Sequence, residues 1–198
     1  MMDVFFTYFL LGYQHITDLA GYDHILFIIA LCAIYQISDW RSVLAVITFF
    51  TVGHSITLAL SVLKILNIDS NLIEFLIPVT ILFTCVSNLF YKIPESFLDK
   101  TPKPYLRYFF TLFFGLIHGL GFSNYLKSLL GQSTNIVGEL FSFNIGIEIG
   151  QIVIVSLFLM LSYIIVEFFK RKKTDLNFVL SGFVAGFTLQ LIIEKWIF

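Results

Sequence analysis

The sequence predicts an all-α membrane protein, a polytopic bundle of about six transmembrane helices with both termini on the outer side. Residues 1–198 are expected to form a single transmembrane domain. Three observations lead there. Of the 198 residues, 58% are hydrophobic and only 13% are charged, whereas a soluble domain carries roughly 25% charged residues. Apolar runs of about 20 residues, enough to cross a hydrocarbon core ~30 Å thick, recur along the chain. Lys and Arg collect in alternate connections between those runs. The mean hydropathy of +0.91 excludes a soluble enzyme and a disordered chain. A net charge of −1 leaves no basic field for a nucleic acid.

The elements follow in order. Within residues 1–18, the stretch Val4–Leu11 is apolar but too short to span. It has no basic n-region and no small-residue cleavage site, so it reads as a short interfacial or re-entrant segment rather than a signal peptide. Spans are expected near Leu19–Tyr35, Val43–Leu66, Leu72–Tyr91, Leu106–Leu129, Ile136–Phe169 and Leu176–Ile197. The fifth is too long for a perpendicular crossing and should tilt or begin outside the bilayer. Arg41 lies in the first connection. Lys92, Lys100, Lys103 and Arg107 lie in the third, and Lys170, Arg171, Lys172 and Lys173 in the fifth. These are nine of the twelve basic residues, and the positive-inside rule places them in the cytoplasm. The expected location is the inner cell membrane, with N- and C-terminus outside. Pro94, Pro102 and Pro104 should hold the third connection extended. Cys32 and Cys85 lie far apart in apolar runs and read as buried small hydrophobes, not as a disulfide or a CxxC metal motif.

Ionisable groups inside a span cost ~2.5–3.5 kcal/mol each at the helix centre. They persist where they pair, coordinate or relay protons. All four histidines lie in or beside spans. His15 precedes Asp23-His24 by a distance that on one continuous helix turns it to the opposite face. A break at Gly21 would let it fold back toward them. In the second span Thr51, His54 and Ser61 share a face, with Thr57 on its edge and Ser55 beside it. In the fourth, His118 sits within a GxxxG pair, Gly115 and Gly119, that admits a neighbouring helix closely. In the fifth, Asn144 and Glu148 share a face, with Gln151 adjacent.

His54 and His118 are each about 13 residues, or ~20 Å, from a cytoplasmic helix end. Glu148 is about 12 residues from the outer start of its span, and Asp23 is nearer the outside. The groups are therefore expected to share one pocket between midplane and outer leaflet. Its metal ligands would come from His15, Asp23, His24, His54, His118 and Glu148, with Thr51, Ser55, Asn144 and Gln151 in support. Imidazoles and carboxylates without a thiol suit zinc, nickel, cobalt or ferrous iron rather than cuprous copper. The bland alternatives are a helix-capping Asp23, a His54 bonded to a neighbouring helix and a neutral structural Glu148. Glu74, Ser87 and Asn88 are lesser candidates, and Glu139 and Glu194 read as interfacial.

Four segments resemble the HupE/UreJ family of membrane proteins and occur in the family's order: GYDHILFIIAL at 21–31, FFTVGHSITL at 49–58, FGLIHGLGF at 114–122 and FNIGIEIGQ at 143–151. The resemblance implies a six-helix membrane protein associated with nickel or cobalt permeation in hydrogenase and urease maturation. It implies metal positions at His15, Asp23, His24, His54, His118 and Glu148. Three functions are then open. One is a permease for nickel, cobalt or zinc. Another is an intramembrane zinc hydrolase acting on a lipid or membrane-anchored substrate. There His24, His54 and His118 would hold the metal, and Glu148 or Asp23 would act as general base. The third is a non-catalytic membrane partner subunit with the histidines as interhelical glue. The expected partners are the bilayer, the cation, and a second copy of the chain or metalloenzyme-maturation proteins.

Overall fold

A computed structural model describes residues 2–94, 105–130 and 135–196. Seven α-helices run through them: α1 (Met2–Thr17), α2 (Asp23–Cys32), α3 (Trp40–Val62), α4 (Ser70–Leu89), α5 (Tyr105–Leu130), α6 (Ile136–Glu167) and α7 (Lys173–Glu194). A 3-10 turn, Ile37–Asp39, leads into α3. Helices α3 to α7 are long and apolar enough to cross a membrane. Their bounds fall within a few residues of the expected second to sixth spans. The expected residues Lys100, Pro102, Lys103, Pro104 and Ile197 lie outside the described residues.

The helix ends have local causes. The Asp69 carboxylate accepts the Asn71 backbone N–H at 2.7 Å and caps α4. The Asn135 side chain accepts the Gly138 N–H at 3.3 Å and caps α6. Beyond α3 and α6 the chain turns off through Lys64 and Lys170, both in the left-handed region at φ 61° and 52°.

The expected first span differs most. Its place is taken by α2, whose 10 residues rise only about 15 Å, and α1 stands before it as a separate helix. Asp side chains account for the interruption at 18–22. Asp18 Oδ1 accepts the Ala20 N–H and Asp23 Oδ1 accepts the His24 N–H, both at 2.9 Å. Backbone donors are thereby taken out of the helical ladder and satisfied locally.

Cross-helix pairs fix the directions. α4 runs antiparallel to α5, with Ser70 at Asn124, Thr80 at His118 and Asn88 at Arg107. It runs antiparallel to α7, with Glu74 at Lys195 and Asn88 at Ser181. α3 runs parallel to α5, since Phe50 abuts Gly115 and Thr57 abuts Gly119. α1 lies parallel to the first half of α6, through Phe5 at Ser142, Phe9 at Gly146 and Ile16 at Gly150. Arg41, Lys92, Arg107, Lys172 and Lys173 therefore gather at one end of the bundle, and Asp23, Glu74 and Lys195 at the other. Side chains such as Phe109, Leu157, Val179 and Phe183 are exposed, as a lipid-facing surface requires.

The tightest seam joins α3 and α5. A Cβ at Gly53 would meet the Leu112 carbonyl, one at Gly115 the Phe50 carbonyl, and one at Gly119 the His54 carbonyl. Backbone cannot retreat as a flexible side chain can. Gly115→Ala is therefore expected to destabilise by at least the ~1–3 kcal/mol of core overpacking. Gly182→Ala, where nothing lies within 4 Å, should leave the protein unharmed. Thermal unfolding of both variants in mild detergent checks the contrast.

Candidate metal centre

Three of the four histidines converge at the break between α1 and α2. His15 sits in the last turn of α1, His24 in the first turn of α2, and His54 midway along α3. Ring centroids are 4.6 Å apart for His15–His24, 5.9 Å for His15–His54 and 6.2 Å for His24–His54. One nitrogen from each of the three rings lies within 4.8 Å of the other two. One point can therefore lie within about 2.8 Å of all three nitrogens, the side divided by √3, against ~2.0–2.1 Å for a metal–imidazole bond. Small side-chain adjustments would close the set on one ion.

His118 on α5 joins from the side, its ring 5.5 Å from that of His24. Its tautomer follows from a neighbour. The Thr80 hydroxyl spends its single proton on the Ile77 carbonyl at 2.7 Å. His118 Nε2–H therefore donates to Thr80 Oγ1 across 3.1 Å. That leaves His118 Nδ1 with a free lone pair.

The surroundings are apolar and aromatic. Phe122 lies on His15 at 3.9 Å, Phe27 is 5.1 Å from His118, and Phe50 stands 5.9 Å from His54 and 5.3 Å from His118. Within this box His15 Nε2, His24 Nε2, both nitrogens of His54 and His118 Nδ1 are buried without a hydrogen-bond partner. Each such atom costs ~1–3 kcal/mol. A core selected for stability alone would not collect five of them in one place.

A carboxylate marks the mouth. Asp23 Oδ1 is 3.1 Å from His24 Nδ1, and its side chain is 28% exposed while that of His24 is 6%. Asp23 also lines an open cavity of about 340 Å³ with Tyr22, Glu74, Pro78 and Lys195. At its rim Lys195 Nζ pairs with Glu74 Oε2 at 2.5 Å. Asp23 is thus common to the cavity and to the imidazole box behind it.

The remaining expected residues take other places. Glu148 Oε1 accepts from the Thr48 hydroxyl at 2.8 Å, about 9 Å along α3 from His54. Among the described residues, the close-set donor group holds three imidazoles and no carboxylate. Gln151 accepts from Thr51 at 2.8 Å, next to the His54 face. Ser55 donates back to the Thr51 carbonyl at 2.6 Å. Asn144 donates to the Leu140 carbonyl at 2.8 Å and keeps its own side-chain oxygen buried without a partner. Cys32 and Cys85 are free and buried. Thr80 and the walls Phe27, Phe50 and Phe122 were not anticipated. Thr80 with Thr84, a polar i,i+4 pair in an apolar span, was the available signal.

The sequence profile of the family described as HupE / UreJ protein matches residues 1–198. The chain belongs to that family. No curated protein and no solved structure matches it. In this HupE/UreJ protein the four quoted motifs land where the geometry needs them. GYDH starts α2 at the break, VGHS and IHGLG build the α3–α5 seam, and NIGIEIGQ carries the glycines that seat α1.

His54→Leu is expected to raise the unfolding temperature of the HupE/UreJ protein in chelator. The change removes two unpartnered buried nitrogens while keeping an apolar side chain. Scanning fluorimetry of the metal-free variant against the parent checks this.

Proposed function

We propose that this HupE/UreJ protein is a permease for a divalent transition-metal cation: nickel, cobalt or zinc. The observation that carries the reading is that His15, His24 and His54 each bring one ring nitrogen within 4.8 Å of the other two, in a box that holds unpartnered nitrogens of all three. The cation is cargo. It meets Asp23 in the open cavity, where the carboxylate offsets part of its charge and takes the place of hydration water. His24, held beside Asp23, passes it to His15 and His54, and His118 offers the next lone pair deeper in the bundle. Neutral imidazoles with one carboxylate leave a divalent ion incompletely neutralised. That favours release over permanent retention, as transit requires. Nitrogen and oxygen donors without thiolate fit these three metals.

In this reading the basic end of the bundle is cytoplasmic and the Asp23 cavity opens on the outer side of the inner membrane. Both termini are outside, and the cation moves inward toward metalloenzyme-maturation proteins. Glu148, bonded to Thr48, is not a ligand.

Binding and flux test this together, by equilibrium dialysis with Ni²⁺, Co²⁺ and Zn²⁺ and by uptake into proteoliposomes. His24→Ala and His54→Ala should abolish both. Asp23→Asn should weaken binding by about 10–100-fold, the scale for a carboxylate that orients a ligand. Glu148→Gln should bind as the parent does. Zinc that survives chelator washing, with hydrolysis and no flux, would replace the permease with a hydrolase. Absence of metal binding in the parent would leave the histidines as interhelical contacts.

A further inference from the structure

Arg107 is the third residue of α5 and only 9% exposed. A guanidinium is always charged, and this one is short of partners. It donates through Nη2 to Asn88 Oδ1 and lies 5.9 and 6.0 Å from the Tyr35 and Tyr91 rings. Its Nε is buried without a hydrogen-bond partner. No carboxylate stands within ion-pair distance among the described residues. A buried cation in apolar surroundings calls for an anion. Asn88 cannot supply one: it is neutral, and its side-chain amide is already donating to the Ala30 carbonyl and to Ser181.

The space for that anion is visible. Arg107 lines a groove of about 200 Å³ between α4 and α5, with Leu31, Phe83, Ser87, Phe110 and Phe114. The groove opens on the lipid-facing surface, where Phe83 and Leu106 are exposed. Ser87 is exposed on the same wall. The first turn of α5 adds the positive end of its dipole. The groove lies at the end of the bundle that carries most of the basic residues.

The geometry points to a seat for one anionic phospholipid. Its phosphate sits on Arg107 and Ser87, and an acyl chain lies along Phe83, Phe110 and Phe114. Charge complementarity calls for the phosphate. The apolar, membrane-facing walls call for a lipid tail in place of a hydrated free ion. This site lies apart from the histidines and does not depend on metal transport.

The test uses the full chain, delipidated in detergent and offered dioleoyl phosphatidylglycerol, dioleoyl phosphatidylcholine or sodium phosphate. Native mass spectrometry reads retention, and thermal unfolding reads stabilisation. One phosphatidylglycerol should be retained per chain and should raise the unfolding temperature more than phosphatidylcholine does. Ser87→Phe fills the groove but keeps Arg107, and should lower phosphatidylglycerol affinity at least ~10-fold. Arg107→Lys should keep it within a few-fold and Arg107→Gln should lose it. If Arg107→Gln fails to fold, Ser87→Phe carries the test. Equal retention of the two lipids, undiminished retention in Ser87→Phe, or equal stabilisation by sodium phosphate would overturn the proposal.

Discussion

The backbone-on-backbone contact of α3 with α5 is the constraint from which the rest of the structure follows. Between helices in lipid there is no hydrophobic drive, because the tails are as apolar as the side chains. Association depends on close packing and on hydrogen bonds. Gly53, Gly115 and Gly119 supply the close packing by letting each helix rest on the other's carbonyls. With the two backbones this close, His54 and His118 come onto adjoining walls of one cleft. Phe50 lies between them, and α2 enters with its first turn over the opening.

The second constraint is the rule that backbone polar groups in hydrocarbon must be satisfied internally. The break at 18–22 respects it, since Asp18 and Asp23 take up backbone donors and the segment borders an open cavity. Its consequence is chemical. On an unbroken helix His15 and His24 would be separated by roughly 13 Å of rise and half a turn. Here their ring centroids are 4.6 Å apart. α1, seated on α6 through Gly12 and Gly146, can deliver His15 from outside the α3–α5 seam. The unpartnered imidazole nitrogens thus gather beside the break between α1 and α2.

Much of this was legible in the sequence. Long apolar runs fix span positions because the bilayer sets their length, and Gly21 marks a place where a break would fold His15 back, although the expected first span runs continuously through it. His24, His54 and His118 could be grouped because each sits beside a glycine or at a helix start. Glu148 shows the limit of that reasoning. Counting residues from helix ends sets Glu148 level with the histidines, whereas its partner Thr48 lies about 9 Å along α3 from His54. The direction a residue faces depends on the neighbouring helix, and Thr48 claims this carboxylate. Arg107 shows the converse. As a residue in a basic connection it reads as a topology signal, but α5 begins at Tyr105 and carries it inside, opposite Asn88. Only the antiparallel register of α4 and α5 reveals that pairing. Thr80 is the same kind of case: its importance lies in where its single proton goes, which no spacing encodes.

The proposed centre has three imidazoles from three helices meeting on one cation, with the helix break bringing in the first. X-ray absorption spectroscopy of the nickel- or zinc-loaded protein addresses this directly, through the outer-shell scattering of imidazole rings. Three imidazoles are expected in the parent and two in His15→Ala, with no sulfur in either. A metal shell unchanged by His15→Ala, or one dominated by carboxylate oxygen with a single imidazole, would contradict it.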